Sequence, residues 1–403
     1  MAQCLTNTWT ASDLATMFWF WLLLAAGAFI YWVVAIVSGF RGARTVSFLS
    51  KLPLPDDPAT LPKLSVVVPA RNEEAGIRAC LESLLAQEYP NLEILVMEDR
   101  STDRTHEIAD EIAARSNGRL VVEHITECPE GWLGKCNALS TGAAKATGEY
   151  ILFADGDVIF EPTTLARAVH YIRQENADML AGLPDILTAT PGERCMILTF
   201  AQCFSIAFSA SRAQDDSSRA FIGVGAFNMV RAAHYRKVHG HRFLRLQVID
   251  DVGLGKLFKL SGGRLRVVYG TGMIKVRWQT GLANTIKGLE KNGFASFNYS
   301  VLKTLIASFG LLYVYWWPWF GIFFGPLAPR VICGATALVL QPLLGVALNK
   351  FSNTSPIYAF SGPIGALFMF AAMMRSMFVT LRQGGIRWRD TFYALKELRQ
   401  FKI

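Results

Sequence analysis

Four short stretches carry polar side chains at spacings that chemistry can use. In ILFADGDVIF, residues 151–160, Asp155 and Asp157 flank a single glycine directly after an apolar run. Carboxylates placed this way can face one hard cation, and Mg²⁺ or Mn²⁺ is commonly held by one or two carboxylates plus substrate phosphates. Asp-Gly also forms ordinary turns. In EDRSTDRT, 98–105, Glu98 and Asp99 could accept hydrogen bonds from ribose hydroxyls or a nucleobase imide, while Thr102 or Asp103 could cap the following helix. GWLGK, 131–135, sets Lys135 at the opening of a helix, where free N–H groups and an ammonium suit a diphosphate. A solvated lysine is the plainer alternative. VIDDVGLG, 248–255, offers Asp250 and Asp251, one of which could act as general base toward a hydroxyl, or cap a helix.

The elements that must position these groups alternate. LSVVVPA (64–70), LEILVMED (92–99), LVVEHI (120–125) and YILFA (150–154) read as buried strands. Residues 74–87, 105–116 and 135–146 between them carry helical apolar spacing, as with Ile77, Leu81, Leu84 and Leu85. Such alternation predicts a mostly parallel sheet with helices on both faces. Ligands of such sheets bind outside the carboxyl ends of the strands. PARNEE (69–74) and the four stretches above all fall at those ends or in the loops after them. Neither GxGxxG after the first strand nor GxxxxGK[ST] occurs, so a dinucleotide fold and a P-loop are both unsupported.

The chain has 403 residues, 52% of them apolar, and a mean hydropathy of +0.28. That combination places part of it in lipid. Its net charge of +8 comes without a basic run or nucleic-acid motif, which argues against nucleic acid as a partner. Seven scattered cysteines without CxxC argue against a disulfide framework or zinc site and better fit a reducing cytoplasm. The HGH at 239–241 reads as loop. Residues 17–40 contain no charge, and Arg41, Arg44 and Lys51 follow them. The positive-inside rule then sets residue 41 onward in the cytoplasm.

The expected organisation is an N-terminal transmembrane anchor (1–40), a linker (41–63) and a cytoplasmic α/β domain (64–280). An interfacial helix (281–300), C-terminal membrane segments (301–380) and a basic cytoplasmic tail (381–403) follow. Leu282, Ile286, Leu289 and Phe297 would share the apolar face of the interfacial helix, although ordinary domain packing gives the same pattern. Three full crossings after the domain would leave the basic tail outside, so one segment is expected to be re-entrant. Residues 315–326, broken by Pro and Gly, are the first choice.

Taken in order, VVVPARNEE, LVMEDRSTDRT, GWLGKCNAL, GEYILFADGDVIF, GVGAFNMVR, VIDDVGLG, VRWQTG and GLEKNGFA resemble the family 2 glycosyltransferases over residues 64–300. The membrane-anchored bacterial type is the nearest in appearance, similar to hopanoid-associated and carotenoid-modifying enzymes and to ceramide glucosyltransferase. The resemblance implies a GT-A-like single nucleotide-sugar-binding domain and an inverting, metal-assisted transfer. The sugar would pass from a nucleotide-diphosphate donor, UDP ahead of GDP, to a hydroxyl of a membrane lipid, at the plasma (inner) membrane in a multi-pass protein. It implies Asp251 as catalytic base, with Asp155 and Asp157 holding Mg²⁺ or Mn²⁺. Ala70, Asn72, Glu73, Glu98, Asp99 and Lys135 would line the nucleotide-sugar site, and Asp250, Arg277 and Trp278 the acceptor or diphosphate side.

Two departures matter. Glu98-Asp99 stands where Asp-Asp is usual, and Ile274 stands at the first position of the Q/R-x-x-R-W motif of processive synthases. The alternatives are a polysaccharide synthase, which Ile274 argues against, and a non-catalytic membrane protein with a vestigial sugar-nucleotide domain.

Overall fold

The computed structural model describes residues 10–352, 355–388 and 391–401. Its strands are β1 (Ser47–Phe48), β2 (Leu64–Ala70), β3 (Leu92–Asp99), β4 (Leu120–Ile125), β5 (Tyr150–Phe153) and β6 (Val158–Phe160). They continue with β7 (Met179–Leu183), β8 (Asp185–Ile186), β9 (Asn228–Arg231), β10 (Leu265–Tyr269) and β11 (Ile274–Val276), and end with β12 (Gly385–Trp388) and β13 (Thr391–Ala394). Because β2 is apolar on both faces, it can sit only at the centre of a covered sheet. Val66 and Val68 pack into one core with Ile94, Leu152 and the Ile77–Leu85 helix. Val67 faces the other core, with Met97, Ile151, Phe153 and Leu254.

The main sheet runs β1-β10-β7-β9-β5-β2-β3-β4 and is parallel except for β9, which is antiparallel to both neighbours. A smaller sheet, β6-β11-β8, lies beside it. From β2 the chain proceeds to β3 and β4 on one side, then returns to β5 on the other. That reversal opens a crevice beyond the ends of β2 and β5. The alternation expected from the sequence is therefore present, with element ends shifted by a few residues.

Among the described residues, four helices could cross a membrane by length and composition: Ser12–Thr45, Pro191–Ala213, Leu327–Ala347 and Gly362–Gln383. Trp19, Leu23, Ile30 and Val34 of the first are exposed, as side chains facing lipid tails would be. Pro191–Ala213 lies inside the region read as a soluble domain. Its residues 195–211 carry no charge, a signal hidden by its position between strands. The Pro191–Ala207 helix packs along Gly362–Gln383 so closely that a Cβ on Gly365 would fall 2.2 Å from the Cys195 carbonyl.

Three expectations change. Within residues 315–326 Pro318 does not break the chain, because the Val301–Gly321 helix continues through it and ends only before Ile322. Its far end turns at Gly325, against Trp21, and the following helix returns until Leu344 lies against Gly39. The expected interfacial helix is two short ones, Leu282–Gly288 and Glu290–Ala295. The second is fixed to the last long helix by Phe294 N–H donating to Ser376 Oγ at 2.7 Å and by Arg375 to Glu290 at 2.9 Å. The basic tail is a folded unit: β12 and β13 pair antiparallel, and the Leu395–Gln400 helix follows. Ile386, Tyr393, Leu395 and Leu398 join a core with Leu133, Leu246, Phe294 and Tyr299. Residues 1–9 of the anchor, and Arg389 and Lys402 of the tail, lie outside the described residues.

Two glycines let backbone meet backbone beneath the Asp250–Leu260 helix. A Cβ on Gly255 would lie 2.0 Å from the Ile222 carbonyl oxygen, and one on Gly223 would lie 1.8 Å from that of Asp251. A rigid carbonyl cannot step aside as a flexible side chain can. Gly255→Ala should cost about 3 kcal/mol and lower the unfolding midpoint of the detergent-solubilised protein, whereas Gly262→Ala, where a Cβ meets nothing within 4 Å, should suffer only mild strain from its positive φ.

Candidate active site

The residues at the strand ends converge. Ala70 closes β2 and is buried, with its carbonyl side opening the loop that carries Asn72 and Glu73. Asn72 takes a left-handed backbone (φ 54°), a conformation asparagine tolerates. Its side-chain oxygen accepts from Thr102 N–H at 2.8 Å and its own N–H donates to Ser101 Oγ at 3.1 Å. Asn72 thus ties the β2 loop to the β3 loop. The Glu73 N–H donates to Thr105 Oγ1 at 2.7 Å. Asp103, just before the next helix, accepts from Thr105 N–H at 3.0 Å.

Glu98 and Asp99 part ways. Glu98 is buried, accepting from Ser101 N–H at 2.6 Å and contacting His124 Nδ1 at 3.2 Å. It holds its own loop in shape. Asp99 receives Arg100 Nε at 2.8 Å, has Arg71 3.7 Å away, and lies directly against Gly134, where a Cβ would be 2.5 Å from its Oδ2.

Lys135, on the first turn of the Gly134–Lys145 helix, is the hub. Its Nζ donates to Asp155 Oδ1 at 2.6 Å and lies 3.9 Å from Asp250 Oδ1. Burial pulls its pKa down, but the Asp155, Asp250 and Asp251 carboxylates more than offset this and hold it above the ordinary lysine value. Asp250 and Asp251 are both pushed up by burial, with Lys135 pulling the other way. His241 Nε2, 3.8 Å behind Asp250, belongs to a fully buried ring whose Nδ1 contacts Tyr235 Oη at 2.9 Å. Burial and Lys135 drive its pKa down to about 3, so the ring is neutral. Nothing in HGH marked His241 as part of the floor, because a loop histidine and a buried one read alike in the sequence.

Residues 223–225 join the two acidic stretches through backbone. Gly225 N–H donates to Asp251 Oδ2 at 2.9 Å, and the Gly225 carbonyl accepts from Asp155 N–H at 3.2 Å. Val252 N–H supports the other Asp251 oxygen at 2.8 Å. Asp157 lies beyond. Burial, then the nearby Asp155 and Glu73 carboxylates, raise its pKa to about 7. Among the described residues no group of three His, Cys, Asp or Glu side chains is gathered as a metal cage. Asp155 and Asp157 fit instead the sparser donor set that Mg²⁺ or Mn²⁺ uses when phosphates complete its shell, and their mutual repulsion favours a cation beside them.

A cavity of about 1160 Å³ starts at Lys135, Asp155, Asp250 and Asp251 and extends between the long helices. Phe204, Trp278, Leu311, Leu344 and Met369 are among its apolar walls. Trp278 packs on Phe200, ring centroids 4.9 Å apart. Arg277 does not line this cavity; it turns to Thr280 Oγ1 at 3.3 Å and Glu193 at 3.9 Å, at the start of the Pro191–Ala207 helix.

A mostly parallel α/β sheet with acidic residues at the ends of its central strands defines a GT-A-like domain, the fold of nucleotide-sugar transferases. The mannosyltransferase PcManGT from Pyrobaculum calidifontis, solved with GDP-Man and Mn²⁺, shares this fold. Its TM-score is 0.51 at 16% identity, covering 89% of this chain and 99% of that one. Residues 65–238 match the family Glycosyl transferase family 2, so this stretch of the chain carries a domain similar to that family. The 4,4'-diaponeurosporenoate glycosyltransferase of Staphylococcus haemolyticus is 28% identical over 58% of this chain and 61% of its own length. The probable glycosyltransferase YdaM of Bacillus subtilis is 34% identical over 39% of this chain and 36% of its own. The similarity therefore spans about three fifths of the first relative and a third of the second.

Removing one partner from a buried ionic cluster leaves its opposite charges uncompensated. Lys135→Met should cost about 3 kcal/mol or more. Asp250 and Asp251, left behind, have raised folded-state pKa values, and such groups lose stability as pH climbs through those values. The destabilisation should therefore be larger at about pH 8 than at about pH 5.5, as read from unfolding midpoints at both.

Proposed function

We propose that this protein is an inverting glycosyltransferase that moves a sugar from a nucleotide-diphosphate donor, UDP-linked ahead of GDP-linked, to a hydroxyl of a membrane lipid. The observation that carries the acceptor reading is the cavity. It joins Asp251 to an apolar space between helices long enough to span a membrane, so a lipid could present its hydroxyl without leaving lipid. The carotenoid-type acceptor in the name of the Staphylococcus relative is in keeping with this. Arg41, Arg44 and Lys51, all following the first long helix, support a multi-pass plasma-membrane protein with its catalytic domain in the cytoplasm.

The donor lies across the ends of β2, β3 and β5. Asp99 addresses the nucleoside, and Lys135 neutralises the diphosphate as it leaves. Asp157 and Asp155 would hold Mg²⁺ or Mn²⁺, which supplies Lewis-acid stabilisation of the phosphates when bound; the mannosyltransferase of the same fold was solved with Mn²⁺. Asp251, its carboxylate aimed by Gly225 and Val252 N–H groups, takes the proton from the acceptor hydroxyl. The freed oxygen forms a bond to the anomeric carbon from the face opposite the diphosphate. The carbon–oxygen bond to the diphosphate breaks with its electron pair, and the configuration inverts. Asp250 and His241 sit behind Asp251 and Lys135 and fix their placement.

Membranes carrying the wild type, supplied with labelled UDP- and GDP-sugars, Mn²⁺ and native lipid, should pass label into organic solvent. Asp251→Asn should reduce that transfer by about 10²- to 10⁴-fold, and a chelator should abolish it. Label found only in insoluble polymer would favour a polysaccharide synthase. Absence of transfer from every donor, with nucleotide binding intact, would favour a vestigial domain.

A further inference from the structure

The folded C-terminal unit reaches the site at both ends. Trp388, on β12, lines the large cavity, and the Lys291 ammonium sits 3.7 Å from the centre of its ring. Tyr393, on β13, is buried and its hydroxyl accepts from the Gly134 N–H at 3.3 Å. Gly134 is the first residue of the helix that presents Lys135, and that helix starts without a local cap: Leu133 holds the N-cap position and has no side-chain acceptor. A free N–H at such a position normally finds Ser, Thr, Asp or Asn one or two residues earlier. Here the acceptor comes from 259 residues away. The point of contact is also crowded. Asp99 Oδ2 would lie 2.5 Å and the Arg100 guanidinium 3.3 Å from a Cβ on Gly134. Tyr393 therefore meets the chain where the nucleoside end of the donor site, at Asp99, adjoins the diphosphate end, at Lys135.

We propose that the C-terminal unit, residues 385–401, is part of the donor site, and that Tyr393 is a positioning residue for nucleoside diphosphate binding. By holding the Gly134 N–H it sets the first helical turn, and through that turn the reach of the Lys135 ammonium and the packing of Asp99. This rests on the donor reading above. It adds that a segment beyond the family-matched region, and beyond the last long helix, determines donor affinity.

The test uses the full-length, detergent-solubilised protein and titrates UDP and GDP in the presence of Mn²⁺. Tyr393→Phe keeps the ring in its core and removes only the acceptor oxygen. Binding of whichever nucleotide the wild type holds should weaken about tenfold, the effect of about one hydrogen bond. Amide exchange at residues 133–138 should quicken, with the unfolding midpoint unchanged. Arg387→Gln, an exposed change on β12, should alter neither. Equal nucleotide binding by Tyr393→Phe and wild type overturns the proposal. So does a loss of affinity accompanied by a lower midpoint and faster exchange throughout the domain, since that marks a merely structural role. Binding of neither nucleotide by the wild type overturns the donor reading, and this inference with it.

Discussion

One buried ammonium sets the terms for everything around it. Lys135 lies among Asp155, Asp250 and Asp251, carboxylates delivered by two separate stretches of chain, with the backbone of residues 223–225 joining them. Three acids gathered at the edge of a core would otherwise repel one another and hold protons, which would disarm a base. The lysine keeps charge on them at modest cost, because Asp155 and Asp250 stay within reach of one cation and Asp251 accepts from two backbone N–H groups. On the proposed reading the same ammonium would also meet the donor's diphosphate. The resting charge balance and the proposed leaving-group binder would then be the same atom.

That arrangement explains why so much of the fold is close-packed backbone. Gly223 and Gly255 exist as glycines because the Asp250–Leu260 helix must lie against residues 222–225 without intervening side chains. Only at that distance can Gly225 donate to Asp251 and accept from Asp155. Gly134 serves the same end on the donor side, letting Asp99 touch the helix that carries Lys135. Small residues here measure separation between charged groups rather than providing flexibility.

The sheet was legible in the sequence because β2, β3 and β5 are β-branched or aliphatic runs ending in polar loops, and the order of such runs prescribes where ligands bind. The division of labour within EDRSTD was less so. Consecutive residues at the end of a strand point to opposite faces, so Glu98 and Asp99 could not both face the crevice, and nothing in the letters says which one does. Three-dimensional partners decide it: His124 on β4 takes Glu98, and Gly134 leaves room for Asp99. The Pro191–Ala207 helix escaped notice for a related reason. Its uncharged run is legible, but its role depends on the Gly362–Gln383 helix, whose contacts are made more than 150 residues later.

The same long-range dependence bears on what counts as the catalytic unit. The family-matched region ends at residue 238, before Asp250 and Asp251. The cavity that receives those carboxylates is walled by helices from both ends of the chain. Its floor belongs to the sheet, its walls to the long helices, and one edge to the C-terminal unit through Trp388. Excising residues 64–280 would leave the carboxylates but open their cavity to water, and with it the apolar space that the proposed acceptor would occupy. The long helices are therefore walls of the cavity rather than a tether for it, and on the proposed reading they bring a lipid-soluble acceptor to the carboxylate that a water-soluble donor also reaches.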